Sequence, residues 1–147
     1  MLIQADIPFI QTRQRTGHMA KAVIEKRDLY IDDIPQTDVF YIAILEENLV
    51  MNVAPNVNSA IQAHLKEKKF NYIVIDLADV TRIDSAGYGV LLNLITYFPR
   101  AQKVNIFIVN MNLMIKRIIE MIGVPLIMYT YPSLESAIEK IRELKLA

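Results

Sequence analysis

A serine preceded by a carboxylate and followed by a small residue and a glycine, Asp84-Ser85-Ala86-Gly87, stands between two apolar runs. A hydroxyl in that setting has three chemical uses: hydrolytic nucleophile, acceptor of a phosphoryl group, or helix cap. A nucleophile needs a general base and, on a strand-to-helix elbow, a glycine two residues earlier. Ile83 occupies that place. The two histidines offer no base: His18 lies in an aperiodic N-terminal stretch and His64 among apolar helical positions. Asp76, Asp79 and Asp84 would form a metal or phosphoacceptor pocket only with an acidic pair after the first strand and a lysine after the last. The segment Leu126 to Ser133 contains no lysine, so these carboxylates read as solvated or capping groups. Gly87 and Gly89 lack the six-residue glycine spacing and the following lysine of a phosphate loop. As a cap, Ser85 accepts a backbone N–H left open in the first helical turn, worth about 1 kcal/mol.

The elements that must carry this serine follow from periodicity. Tyr72 to Leu77 is a short, nearly continuous apolar run rich in β-branched residues, as a buried strand requires. After a polar loop, Ser85 opens a helix through Tyr88 to Phe98, which Pro99 is expected to stop. Val39 to Leu45 reads as a second buried strand, and Ala22 to Ile31 as a charge-interrupted one closed by Pro35. Pro55 suits a first helical turn, where its missing N–H costs nothing. Val57, Ala60, Ile61, His64 and Leu65 then recur at helical spacing up to the Lys66-Glu-Lys-Lys69 run. Val104 to Val109 is a strand. Asn112 caps a helix of Leu113, Ile115, Ile118, Ile119 and Ile122 that Gly123 ends. Leu126 to Tyr129 is a last strand, and Ser133 caps a terminal helix turning Leu134, Ala137, Ile138, Ile141 and Leu144 inward. The order β-β-α-β-α-β-α-β-α implies an α/β fold with a largely parallel sheet covered by helices.

Composition bounds the function. With 147 residues, 53% of them hydrophobic, the chain buries the core of one domain. Sixteen basic and sixteen acidic side chains cancel, and no Lys/Arg cluster falls on one face, so nothing points to nucleic acid. The absence of cysteine excludes disulfides, thiolate chemistry and Cys-ligated metal. The seven methionines read as core filler. No apolar run reaches the roughly 18 residues of a membrane span, and the start lacks a signal-peptide pattern. A cytoplasmic domain at residues 21–147 is expected, after an extension (1–20) of unknown role.

Ile75-Asp-Leu-Ala-Asp-Val-Thr-Arg-Ile-Asp-Ser-Ala-Gly-Tyr-Gly-Val90 resembles the signature of the STAS domain, the anti-sigma factor antagonist family. There a strand leads into Asp-Ser-Ser/Thr/Ala-Gly. The resemblance covers roughly residues 37 to 145 and includes Met121-Ile-Gly-Val-Pro125. It implies a STAS-like mixed, mostly parallel sheet with about four helices mainly on one face, no catalysis, no cofactor and no metal. It places Ser85 on the serine that bacterial anti-sigma factor antagonists have phosphorylated, with Asp84, Ala86 and Gly87 beside it on the partner-binding surface. Val90, Leu91, Leu94, Ile95 and Phe98 suffice to anchor the second helix to the sheet, which leaves Tyr88 and Leu92 for its outer side, where a partner would dock. The chain departs from the family at two places. Glu47-Asn48-Leu49-Val50 stands where Gly-x-Leu-Asp is common, and Tyr88 replaces an aliphatic residue.

The function so implied is a partner switch. Unphosphorylated, the protein binds an anti-sigma factor with serine kinase activity, which supplies its own ATP, and a sigma factor is released. A serine phosphatase resets the cycle. The alternative is a non-switching STAS subunit or scaffold of a transporter or stress-signalling complex.

Overall fold

The computed structural model describes residues 23–67, 69–102, 104–122 and 129–146. In chain order the elements are β1 (Ile24–Arg27), β2 (Tyr30–Ile31), β3 (Ile34–Pro35), β4 (Val39–Ile44), β5 (Asn48–Leu49) and α1 (Ala54–Glu67). There follow β6 (Tyr72–Asp76), β7 (Arg82–Ile83), α2 (Ser85–Gln102), β8 (Asn105–Val109), α3 (Leu113–Ile122), β9 (Thr130–Tyr131) and α4 (Leu134–Leu146). The main sheet runs β1-β4-β6-β8-β9. Only β1 is antiparallel to its neighbour; β4, β6, β8 and β9 are parallel, with Ile42 opposite Ile75 and Ile75 opposite Ile108. Every residue of β4 and β6 is buried, which is why both read as unbroken apolar runs rather than alternating ones.

Successive parallel strands advance in one direction across the sheet, so right-handed crossovers put their helices on one face. There Val57 and Ile61 of α1, Leu91 and Leu94 of α2, and Ile115 and Ile119 of α3 pack on Phe40, Ile42, Ile73, Ile75 and Ile108. The opposite face is covered by α4, whose Ala137 and Ile141 meet Val39, Tyr41, Val74, Phe107 and Val109. Arg142 reaches Asp32 at 2.6 Å and Lys145 reaches Asp38 at 2.9 Å, tying α4 to the β2–β3 hairpin and its exit. Asp32 and Asp33 turn that hairpin with positive φ, as a two-residue connection requires.

The main sheet and its helices reproduce the expected order once the two-stranded ribbons β2–β3 and β5–β7 are set aside. Three boundaries differ. The Ala22 to Ile31 strand is really β1 and β2: Glu25 and Lys26 are exposed on an edge strand, and the chain leaves the sheet after Arg27 to enter the hairpin. The second helix passes Pro99 and ends at Gln102. A proline removes one donor from a helix, and here that loss does not end the run. The last strand is Thr130–Tyr131, with Tyr129 in the preceding turn; residues 126–128 and Gly123 lie outside the described residues. Apolarity marked the region, while pairing of Thr130 with Ile108 sets its register. His64 is half-buried with its ring 5.5 Å from Phe40, a packing role, and His18 lies outside the described residues.

Candidate functional site: the Ser85 loop

The loop between β6 and α2 is held from three sides. From β6, the buried Asp76 accepts the N–H of Ala78 at 2.9 Å, the Tyr41 hydroxyl at 3.0 Å and the Asn110 amide at 3.2 Å. From the start of α3, the Asn112 side chain donates to the carbonyl of Thr81 at 3.0 Å while its oxygen caps Ile115 at 2.8 Å, as its type predicts. From the strand before α1, the Glu47 carbonyl accepts the Thr81 N–H at 2.7 Å, and Asn48 accepts the Arg82 guanidinium at 2.9 Å. β5 and β7 then pair in parallel, Leu49 opposite Ile83.

Asp84, not Ser85, caps α2. One carboxylate oxygen accepts the N–H groups of Ala86 at 2.9 Å and Gly87 at 3.0 Å. The other accepts the N–H of Met51 at 2.9 Å. The Gly87 N–H first, then those of Met51 and Ala86, hold this carboxyl below its ordinary pKa. The expectation that Ser85 caps the helix is therefore corrected: the preceding residue is equally fit to cap and reaches the first-turn N–H groups, leaving Ser85 as the first helical residue. Ser85 is exposed, and among the described residues its hydroxyl has no hydrogen-bond partner.

Gly87 is buried, and a Cβ there would lie 2.0 Å from the Leu49 carbonyl oxygen. Its lack of a side chain lets α2 close onto β5. Gly89, one residue beyond Tyr88, is exposed with nothing within 4 Å of where its Cβ would be. Beside it an open groove of about 420 Å³ runs between the two helix starts, lined by Ala54, Pro55 and Asn58 of α1 and Ala86, Gly89 and Asn93 of α2.

The structure thus brings Asp84, Ser85, Ala86 and Gly87 together at one helix start. Tyr88 and Leu92 are half-buried and pack on the core rather than standing wholly outside it. Val90, Leu91, Leu94 and Ile95 anchor α2 as expected, and the Phe98 side chain lies outside the described residues. Asp76 and Asp84 are each committed to separate sets of donors, and Asp79 is exposed. Sequence reasoning marked Glu47 to Val50 as a departure from the family pattern but missed the backbone contacts that Leu49 and Met51 make here, and it missed the α1 side of the groove. The chemistry of Met51 and Leu49 here is backbone N–H and C=O, which leaves no mark on residue type.

Comparison with known proteins supplies context for this geometry. The family model described as STAS domain matches residues 33–137. No curated relative matches the chain in sequence. The unphosphorylated form of the anti-sigma factor antagonist SpoIIAA is similar over 80% of this chain and 96% of its own, at 14% identity and a TM-score of 0.63. An anti-sigma factor antagonist from Mycobacterium paratuberculosis is similar over 81% of this chain and 94% of its own, at 22% identity and a TM-score of 0.63. The murine anion transporter Slc26a9 is similar over 80% of this chain at 18% identity and a TM-score of 0.66, but the chain spans only 21% of the transporter. These likenesses establish the fold.

Proposed function

The chain belongs to the STAS domain family, and from that premise we propose that it is an anti-sigma factor antagonist switched by phosphorylation of Ser85. The observation that carries the reading is the division of labour at the α2 start. Asp84 makes the capping bonds, Gly87 permits the close contact with Leu49, and Ser85 is left exposed with a free hydroxyl. A serine with no structural duty, displayed on a firmly held loop, suits a kinase active site.

Unphosphorylated, the exposed edge formed by Ser85, Ala86 and the half-buried Tyr88 and Leu92 docks on an anti-sigma factor with serine kinase activity, while Asp84 and Gly87 hold that edge in shape. Docking frees a sigma factor. The kinase transfers phosphate from its own Mg²⁺-ATP to the Ser85 hydroxyl, and a serine phosphatase later removes it; the domain itself catalyses nothing. Phosphate adds about −1.5 to −2 charges. The N-terminus of a helix accommodates anions, so the fold survives. At a closed interface the same charge must lose its water beside the ionised Asp84, and the contact is lost.

A permanent STAS subunit or scaffold in a transporter or stress-signalling complex is the second reading, and the likeness to the Slc26a9 domain favours it. A pull-down from the source organism with wild type, Ser85→Ala and Ser85→Asp, read by mass spectrometry, separates the two. A serine kinase recovered with wild type and Ser85→Ala but absent with Ser85→Asp supports the switch. A transporter or scaffold recovered equally with all three selects the subunit.

A further inference from the structure

Charge is spread unevenly over this molecule. Charged residues make up 22% of the chain, yet no Asp, Glu, Lys or Arg occurs in residues 48–65 or in residues 85–99. The first stretch holds β5 and nearly all of α1, and the second holds α2 as far as Pro99. These two helices lie side by side with their starts across one groove, and the Asn93 amide bridges them by donating to Asn58 at 3.3 Å. Their shared surface is solvated all the same, with Met51, Pro55, Ser59, Ser85 and Gly89 exposed. The other two helices carry ordinary outer faces, with Lys116, Arg117 and Glu120 exposed on α3 and Glu135, Glu139 and Glu143 on α4. Lack of charge is uncommon on a free surface and usual in the core of an interface.

Area decides how far a contact at Ser85 must reach. A specific interface draws on about 20–30 residues a side, and Ser85, Ala86 and the half-buried Tyr88 and Leu92 are a fraction of that. The contact therefore spreads in one of two directions. On one side the 77–84 loop exposes Asp79 and Arg82 and is tied by Asn112 to the charge-bearing α3. On the other side lies the uncharged α1. Resting on the reading of Ser85 as the switch, we propose that the kinase partner's footprint crosses the groove onto Met51, Pro55 and Ser59, and that the partner meets it with an uncharged surface. An anionic membrane or a nucleic acid finds no cation on this face to hold it. A second copy seated there would shut Ser85 away from any kinase. The uncharged setting also explains why one phosphate suffices, because a dianion placed in such a contact meets no opposite charge.

The test uses the full chain and the serine kinase recovered with it by pull-down, purified and titrated by fluorescence anisotropy without nucleotide. Ser59→Lys and Ser59→Glu each weaken binding about tenfold or more with unchanged melting curves, whereas Asp79→Lys stays within about twofold of wild type. Wild-type affinity changes less than about threefold between roughly 0.05 and 0.5 M salt. Backbone hydrogen exchange in the complex slows across residues 51–62 and at the α2 start. Unchanged or improved affinity from either Ser59 change overturns the proposal even if the kinase phosphorylates Ser85. So does a steep salt dependence, protection centred on residues 77–82 and α3, or a dimer of the free chain that both Ser59 changes dissolve. A pull-down without a kinase, or a kinase that leaves Ser85 unmodified, ends the Ser85 reading and this inference with it.

Discussion

A serine stands at the start of two helices of this molecule, Ser133 just before α4 and Ser85 as the first residue of α2, and the two serines do opposite things. At the start of α4, Ser133 accepts the Ser136 N–H at 3.1 Å, and the Ser136 hydroxyl returns the favour to the Ser133 N–H at 3.2 Å. The Ser133 oxygen is consumed by the fold. At the start of α2 the capping oxygen comes from Asp84, and Ser85 contributes nothing that the described residues use. Residue type alone does not separate a structural serine from an available one. What separates them is whether the preceding residue already satisfies the first turn.

The sharpest way to break this comparison is at Gly87, because the account makes the α2 start a pinned structure. Gly87→Ala drives a Cβ into the Leu49 carbonyl, and we expect a loss of about 1–3 kcal/mol in denaturant unfolding. An unaltered midpoint would falsify the pinning. Next come the serines themselves. Ser133→Ala should cost about 0.5–2 kcal/mol, whereas Ser85→Ala should stay within about 0.5 kcal/mol of wild type. Equal losses at the two positions would erase the distinction on which the functional reading stands.

Gly89 sharpens the contrast with Gly87. With open space at its Cβ, Gly89→Ala should raise stability by up to about 1 kcal/mol. Gly89→Leu should keep the melting curve and weaken partner binding about tenfold, or 1.4 kcal/mol, by obstructing the groove. Unchanged affinity would place the docking edge elsewhere. The smallest effect is electrostatic. The folded Asp84 carboxyl titrates below its unfolded value of 3.8, so its stabilisation is complete above that value. It is lost as pH falls through the lower, folded pKa. Asp84→Asn keeps an oxygen for Ala86 and Gly87 but faces the Met51 N–H with a donor. Its deficit relative to wild type should be clear at pH 7 and should shrink below about pH 4. A deficit independent of pH would remove the carboxylate charge from the explanation.

The architecture was legible because buried parallel strands write themselves as apolar runs: Tyr72 to Leu77 and Val39 to Leu45 gave β6 and β4 to within one residue. The caps at Asn112 and Ser133 were legible because each stands directly before a periodic stretch. Where two capping residues stood side by side, at Asp84 and Ser85, type was no guide, and the assignment needed coordinates. Pro99 misled because the breaker rule counts one lost bond and not the turn that follows. Tyr88 and Leu92 misled because an amphipathic helix pressed between neighbours has little fully outward face: among the described side chains of α2 only Ser85, Gly89 and Thr96 are exposed. The β5 segment was legible only as a departure from the family pattern at Glu47 to Val50; its contacts were not, since Leu49 and Met51 act through their backbones.

The central claim is that Ser85 is the modified residue and that its modification severs a contact without disturbing the fold. Incubating the protein with its cognate kinase and Mg²⁺-ATP, mapping the phosphate by peptide mass spectrometry and comparing melting curve and partner affinity before and after tests it directly. The account predicts phosphate on Ser85 only, a melting temperature close to that of the unmodified protein, and loss of partner binding. Phosphate on Ser59, Ser133 or Ser136, or a phosphorylated Ser85 that still binds its partner, would contradict it.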